Sequence, residues 1–215
     1  SAIKSASDGD TITLAEGEYD LTTSPLVITK RVNLVGAGAD QTTITGQIVY
    51  QFSEDQNGNT LTVSNLTIKP NATTDVQGLQ FRGNKPNNGY NLNIVVENCA
   101  FDNWQYGIAM NSHANGYNLT VKNCRFPSTL CAVNYNYDVE TSGQVANNSV
   151  TFEGSNIVDE GLYAVQKYNN KTGGELSNKY FATIEDYING KAVKQNPTLV
   201  SNAVAKVGNT FYSDL

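Results

Sequence analysis

The chain is poor in the residues on which most enzymatic chemistry relies. Its 215 residues include one His, one Trp, one Met and three Cys, and only 16 % are charged, against about 25 % in an average soluble chain. A single His113 excludes a multi-His metal site and leaves a His-dependent triad little to build on. The cysteines Cys99, Cys124 and Cys131 lack C-x-x-C spacing, which excludes a zinc ribbon or a thioredoxin-type motif. No apolar run approaches the roughly 18 residues of a membrane span. Net charge is −6, whereas nucleic-acid binders need a basic face. These absences lead us to expect no cofactor, no metal, no nucleic-acid partner and no membrane insertion. The first residue is Ser1, with neither Met nor a charged-then-apolar leader, so either a processed chain or a piece excised from a longer one is expected.

Asn, Thr, Ser and Gly occupy the space that charge leaves. Roughly 28 Asn disfavour helix, because the Asn side chain competes for its own backbone. With 39 % hydrophobic residues, 12 Tyr and 7 Phe, a sizeable core is available and disorder is not expected.

Short β-type runs recur and fall into register. Leu61–Ile68 aligns with Ile94–Phe101 and Leu119–Phe126, and more loosely with Val150–Ile157. A second run follows each one: Gly78–Phe81, Gly107–Met110, Ala132–Tyr135 and Ala164–Lys167. Asn65, Asn98 and Asn123 lie about 33 and 25 residues apart, and Gly154 follows about 31 later. Repeats of this length without helical periodicity indicate a β-solenoid. Alternation places Val63, Val96, Val121 and Phe152 inward, with Ile68, Phe101, Phe126 and Ile157 as the next inward column. The Asn column reads as a buried ladder serving backbone groups at a tight bend. Cys99 and Cys124 fall one coil apart and are expected as stacked thiols, because in-register positions have parallel Cβ vectors unsuited to a bridge.

The opening segment carries a family resemblance. Residues 2–19, with Asp8-Gly9-Asp10, and then Leu26–Gly38 and Thr43–Gly46 resemble the first coils of pectin-lyase-like right-handed parallel β-helices, closest to pectin methylesterases and bacterial surface β-helices. The resemblance implies a short N-terminal capping helix, a structural Asp8–Asp10 turn, and Gly36 and Gly38 at a turn between coils. It also sets a test for catalysis. The Asn-Thr-Asp, Asp-Asp and Gly-His-Gly runs of polygalacturonase-like members are absent. Gln77 sits where methylesterase-like members carry a Gln, but no matching Asp motif follows it. Lys122 and Arg125 are the available lyase-type bases. Lys122, however, shares a column with Glu97 and Glu153, which suggests an outer charge ladder.

Asp102-Asn103-Trp104-Gln105-Tyr106 falls at the same corner as Asp159-Glu160, two coils away. At about 4.8 Å per coil the carboxylates would stand roughly 10 Å apart, at the wide edge of the about 6.5–9.5 Å used by inverting glycosidases. Trp104 and Tyr106 beside them offer faces for a sugar, with Asp102, Asn103, Asp159 and Glu160 orienting hydroxyls; the alternative is Trp104 folded over the coil edge. Tyr90, Tyr106, Tyr117, Tyr135, Tyr137, Tyr163 and Tyr168, interleaved with Asn111, Asn134, Asn136 and Gln166, suit either carbohydrate recognition or plain β-propensity. His113 reads as a solvated loop residue.

Beyond residue 175 the pattern changes. Phe181, Ile184 and Ile188 follow helical spacing up to Asn189-Gly190. Asn196-Pro197 opens a second helix that ends near Gly208, and residues 209–212 resemble a strand. The expectation is one domain over 1–215: a cap over 1–11, about six coils over 12–175, and a partly helical C-terminal cap over 176–215. The expected role is a monomeric, non-catalytic module on a bacterial surface or secreted, adhesin-like or binding an oligo- or polysaccharide such as a host surface glycan. The alternatives are a lyase or hydrolase relative acting on acidic plant-type polysaccharide, and a rigid spacer of a larger surface protein.

Overall fold

Strand alternation in this sequence is strict enough to divide each repeat into an inner and an outer half. In Leu92–Glu97 and Tyr117–Lys122 every second side chain is buried, the pattern of a strand with one face on a core. The computed structural model describes residues 2–71, 76–139, 145–159, 163–168 and 179–193. These residues form an all-β parallel solenoid of about five turns. Each coil contributes one strand to each of three faces. The first face stacks Thr11–Thr13, Asn33–Val35, Thr60–Ser64, Leu92–Glu97, Tyr117–Lys122 and Ser149–Glu153. The second stacks Gly17–Asp20, Thr42–Thr45, Thr67–Lys69, Ala100–Phe101, Arg125–Phe126 and Ile157–Val158. The third runs from Leu26–Ile28 through Ile48–Phe52, Gln77–Gly83, Tyr106–Met110 and Cys131–Val139 to Tyr163–Tyr168, and Lys179–Phe181 closes it antiparallel.

The register produces vertical columns. Val63, Val96, Val121 and Phe152 line one of them. Ile44, Ile68 and Phe101 begin another, which Phe126 continues. The rings of Phe101 and Phe126 stack 5.4 Å apart, as do those of Tyr50 and Phe81. Each such fully buried side chain contributes about 1.5–3 kcal/mol.

The corner between the first and second faces has two residues in three successive coils: Asn65-Leu66, Asn98-Cys99 and Asn123-Cys124. The Asn residues sit at φ 59°, 52° and 52°, in the left-handed region that Asn tolerates better than most residues. The second residue of each pair then drops into the core. The expected buried Asn ladder is thereby corrected. Asn65 is half-buried and Asn98 and Asn123 are exposed, because the corner requires a backbone conformation and not an interior amide. A ladder bond does join Asn98 Nδ2 to Asn65 Oδ1 at 3.3 Å, and Asn123 Oδ1 accepts the Ser155 N–H at 2.8 Å.

The last corner, Gly154-Ser155-Asn156, is one residue longer, and this overturns a second expectation. Arg125 pairs with Ile157 and Phe126 with Val158, so Val158 takes the inward place while Ile157 is 56 % exposed. Asn156 accommodates the extra residue: it accepts the Cys124 N–H at 2.8 Å and donates to Val121 O at 3.2 Å. Gly36 is needed where the chain passes close to its neighbour, since a Cβ there would collide with the Asn65 carbonyl.

Both ends are tied down by specific bonds. The helix Ala2–Ser5 leads into the acidic turn, where Asp10 accepts the Ser7 N–H and Asp8 accepts the Arg31 N–H, at 2.8 and 2.7 Å. At the other end a helix spans Ile184–Ile188, N-capped by Thr183. Phe181, expected within that helix, lies in the preceding strand. The Tyr187 hydroxyl donates to Val150 O at 2.8 Å, and its ring meets Phe152 and Phe181 edge-on. The second helix and final strand expected beyond residue 195 lie outside the described residues.

Cys99, Cys124 and Cys131 are free and buried, as the column geometry anticipated for the first two. Burial pushes the Cys99 thiol up, and that of Cys131 up to about 12. The Cys99 thiol hydrogen-bonded to it pushes Cys124 down, but all three are shielded from solvent. Native protein should therefore resist a thiol reagent, and unreduced, denatured protein should titrate at all three positions; recovery of one thiol would mean a disulfide. Asn98→Ala should cost about 1 kcal/mol through its left-handed backbone, lowering Tm by roughly 2–4 °C. Asn98→Gly should cost less, and equal losses for the two variants would contradict the conformational explanation.

Candidate functional site

The corner singled out in the sequence is assembled as expected in register but not in exposure. Trp104 is 0 % exposed. Its indole N–H donates to Ile68 O at 2.9 Å, and its backbone N–H to Thr129 Oγ1 at 3.2 Å. The ring packs over Gly78, where a Cβ would lie 3.0 Å from the indole nitrogen. Tyr106 is 7 % exposed and packs with Ala109, Leu130, Cys131, Tyr163 and Tyr180. An aromatic sugar platform at Trp104 and Tyr106 is thus replaced by a filled corner. The side chain that Gly78 lacks leaves the space that Trp104 occupies, and that small residue was the signal in the sequence.

The polar members of the corner are divided among separate tasks. Asn103 takes a left-handed turn at φ 69°, and its N–H donates to Pro127 O at 3.0 Å. Asp159 Oδ2 accepts the Ser128 N–H at 2.7 Å, shaping the adjacent loop. Glu160 lies outside the described residues. Asp102 faces outward and pairs with Lys69 at 3.9 Å. Of the tyrosines, Tyr90, Tyr117, Tyr135 and Tyr163 are buried, while the side chains of Tyr137 and Tyr168 are outside the described set. Asn134 donates to Gln166 at 2.8 Å and Gln80 bonds Asn111, so these amides bond between coils. His113 is half-buried, at φ 67°. The outer charge ladder is present as a 3.1 Å pair between Lys122 and Glu97.

Asp102 belongs instead to a shallow groove on the second face, with a volume of about 290 Å³. Its floor is the stretch Thr43, Thr67 and Ala100 of one column, with Arg125 at the next position. Each of these residues precedes an inward one by a single position, so alternation points it away from the core; Thr43 is half-buried and Arg125 exposed, while Thr67 and Ala100 are covered to 7 % and 4 % exposure. Arg125 reaches back over the small residues to Asp40, on the corner loop before Thr42–Thr45, at 2.7 Å. Lys69 and Asp102 form the neighbouring wall, and Pro127 and Ala39 complete the lining. The groove therefore presents two cation–carboxylate pairs of opposite direction above a floor of small side chains. Asp40 and Lys69 were not singled out in the sequence; Arg125 was, as a base.

A larger recess of about 440 Å³ lies beside the first helix, lined by Ala2, Ser5, Ala6, Asp10 and residues 11–13. Its one carboxylate, Asp10, is engaged by the Ser7 N–H, and its Ser5 hydroxyl by Ala2 O. Among the described residues no three His, Cys, Asp or Glu side chains come together as metal ligands.

Trp104→Ala should destabilise the fold by about 3–5 kcal/mol, the cost of emptying a large core site, read as a shifted urea midpoint. A midpoint within error of wild type would return the ring to the surface. Comparison of the chain with family models, curated proteins and solved structures found no match.

Proposed function

We propose that the protein is a non-catalytic, secreted or surface-displayed solenoid that binds glycan in the second-face groove. The observation that carries this reading is the pairing of Arg125 with Asp40 and of Lys69 with Asp102 across one shallow, small-residue floor. Donor and acceptor stand together at two places along the groove, which is what adjacent sugar hydroxyls require. Exposed ion pairs contribute only about 0–1 kcal/mol to folding, so these groups are available to a ligand at little structural cost. The non-catalytic assignment draws support from the carboxylates: Asp102 pairs with Lys69, and Asp159 is bound by a backbone N–H. Kinship with the pectin-lyase-like group is part of the proposal and rests on residues 2–46. The extracellular placement draws on that kinship.

One observation favours a second reading, a rigid spacer. Among the described residues the large exposed hydrophobics are Val27, Ile157, Ile188 and Val193. Val27 lies in the first coil, Ile157 in the last, and the other two in the closing segment. Among the described residues such side chains thus gather in the terminal coils and the closing segment, where apolar contacts with neighbours would be made.

A glycan array probed with wild type and with Lys69→Ala/Arg125→Ala separates the readings. Binding should fall at least about tenfold in the double variant, equivalent to about 1.4 kcal/mol, with Tm unchanged. An array without signal favours the spacer, and turnover of polygalacturonate would overturn the non-catalytic assignment.

A further inference from the structure

We infer that the groove selects neutral, polyhydroxylated sugars over acidic ones, an inference that rests on the glycan-binding reading above. Its basis is the local charge arrangement. Both cations of the groove already face carboxylates, Arg125 on Asp40 at 2.7 Å and Lys69 on Asp102 at 3.9 Å. The same two outward columns continue into the first coil as Glu18 and Asp20, which pair with Thr43 and Thr45. Two carboxylates thus line the groove against two cations, and two more stand one coil beyond it in the same columns, on a chain whose net charge is −6. A uronate or sulfate would have to displace Asp40 or Asp102, or place its own charge beside them, and like charges at short range oppose this.

A neutral sugar meets none of these penalties. A hydroxyl inserted beside either pair donates to the carboxylate and accepts from the guanidinium or ammonium, so both partners remain satisfied. A neighbouring hydroxyl at the second pair is oriented in the opposite sense, which fixes the direction of the ring. Pro127 gives the sugar a C–H contact, and the small side chains of Thr43, Thr67 and Ala100 leave a floor low enough for a ring to lie flat over it. Without an aromatic in the lining, affinity comes from hydrogen bonds, so each site is weak and selectivity is set by hydroxyl geometry.

The test is a calorimetric or NMR titration of the full chain at about 20 mM and about 300 mM NaCl, which changes screening around the groove substantially. One ligand set is neutral (cello-, manno- and galacto-oligosaccharides), and the other is oligogalacturonate. The inference expects a neutral member to bind with affinity changed less than about twofold by salt. It also expects Asp102→Asn, at unchanged Tm, to weaken that binding at least about tenfold. Tighter binding of oligogalacturonate that collapses with salt would overturn the inference while leaving glycan binding intact. Neutral binding indifferent to Asp102→Asn would also overturn it, by moving the site elsewhere. If neither set binds in either salt, the glycan reading itself fails, and this inference fails with it.

Discussion

In-register stacking of each strand on its counterpart one coil earlier is the constraint from which the rest of this molecule follows. A shift of one residue would turn every inward side chain to solvent, so each coil must repeat the same choice of face as its neighbours. The columns Val63–Val96–Val121–Phe152 and Ile44–Ile68–Phe101 express that requirement in the core. The corners express it in the backbone. Where the chain bends from the first face to the second, three coils use Asn at a left-handed φ and the fourth uses Gly154 at φ 66°. Asn and Gly can substitute for one another there because both tolerate that conformation.

This constraint also explains which parts of the structure were legible in the sequence. The solenoid, its inward columns and the stacked thiols follow from local alternation, which the sequence displays directly. The Asn column was visible but its cause was not. A residue chosen for left-handed backbone and one chosen for buried hydrogen bonding are both Asn, and periodicity does not distinguish them. Ile157 was misplaced because the last corner holds one more residue than its predecessors. Trp104 offers no repeat with which to compare it; only the glycine at position 78 indicates that space inside the coil was left for an indole. The groove was least legible of all. Arg125 and Asp40 are 85 residues apart, and their meeting depends on how far a long side chain extends over small residues in intervening coils.

The faces and the core carry different loads. Stability resides in buried columns and inter-coil backbone bonds, while the exposed pairs at Lys69, Lys122 and Arg125 contribute little to folding. The outer surface is therefore free to vary in chemistry over an unchanged interior. Edge protection is similarly local. The third face ends in an antiparallel strand, and Tyr187 bonds Val150 within the last first-face strand while packing on Phe152.

The unequal spacing of the corner asparagines, 33 and then 25 residues, has a geometric consequence. The difference is shared between the connection from the second face to the third, residues 70–76 against 102–105, and the one back to the first, residues 84–91 against 111–116, each longer in the first interval. Loop length is thus decoupled from axial rise, and every coil adds one strand spacing of about 4.8 Å however many residues it contains. The length of the molecule is quantised. Gain or loss of a whole coil between Asp40 and Arg125 would change the span of their bridge by that fixed step, whereas loops can grow or shrink without altering it.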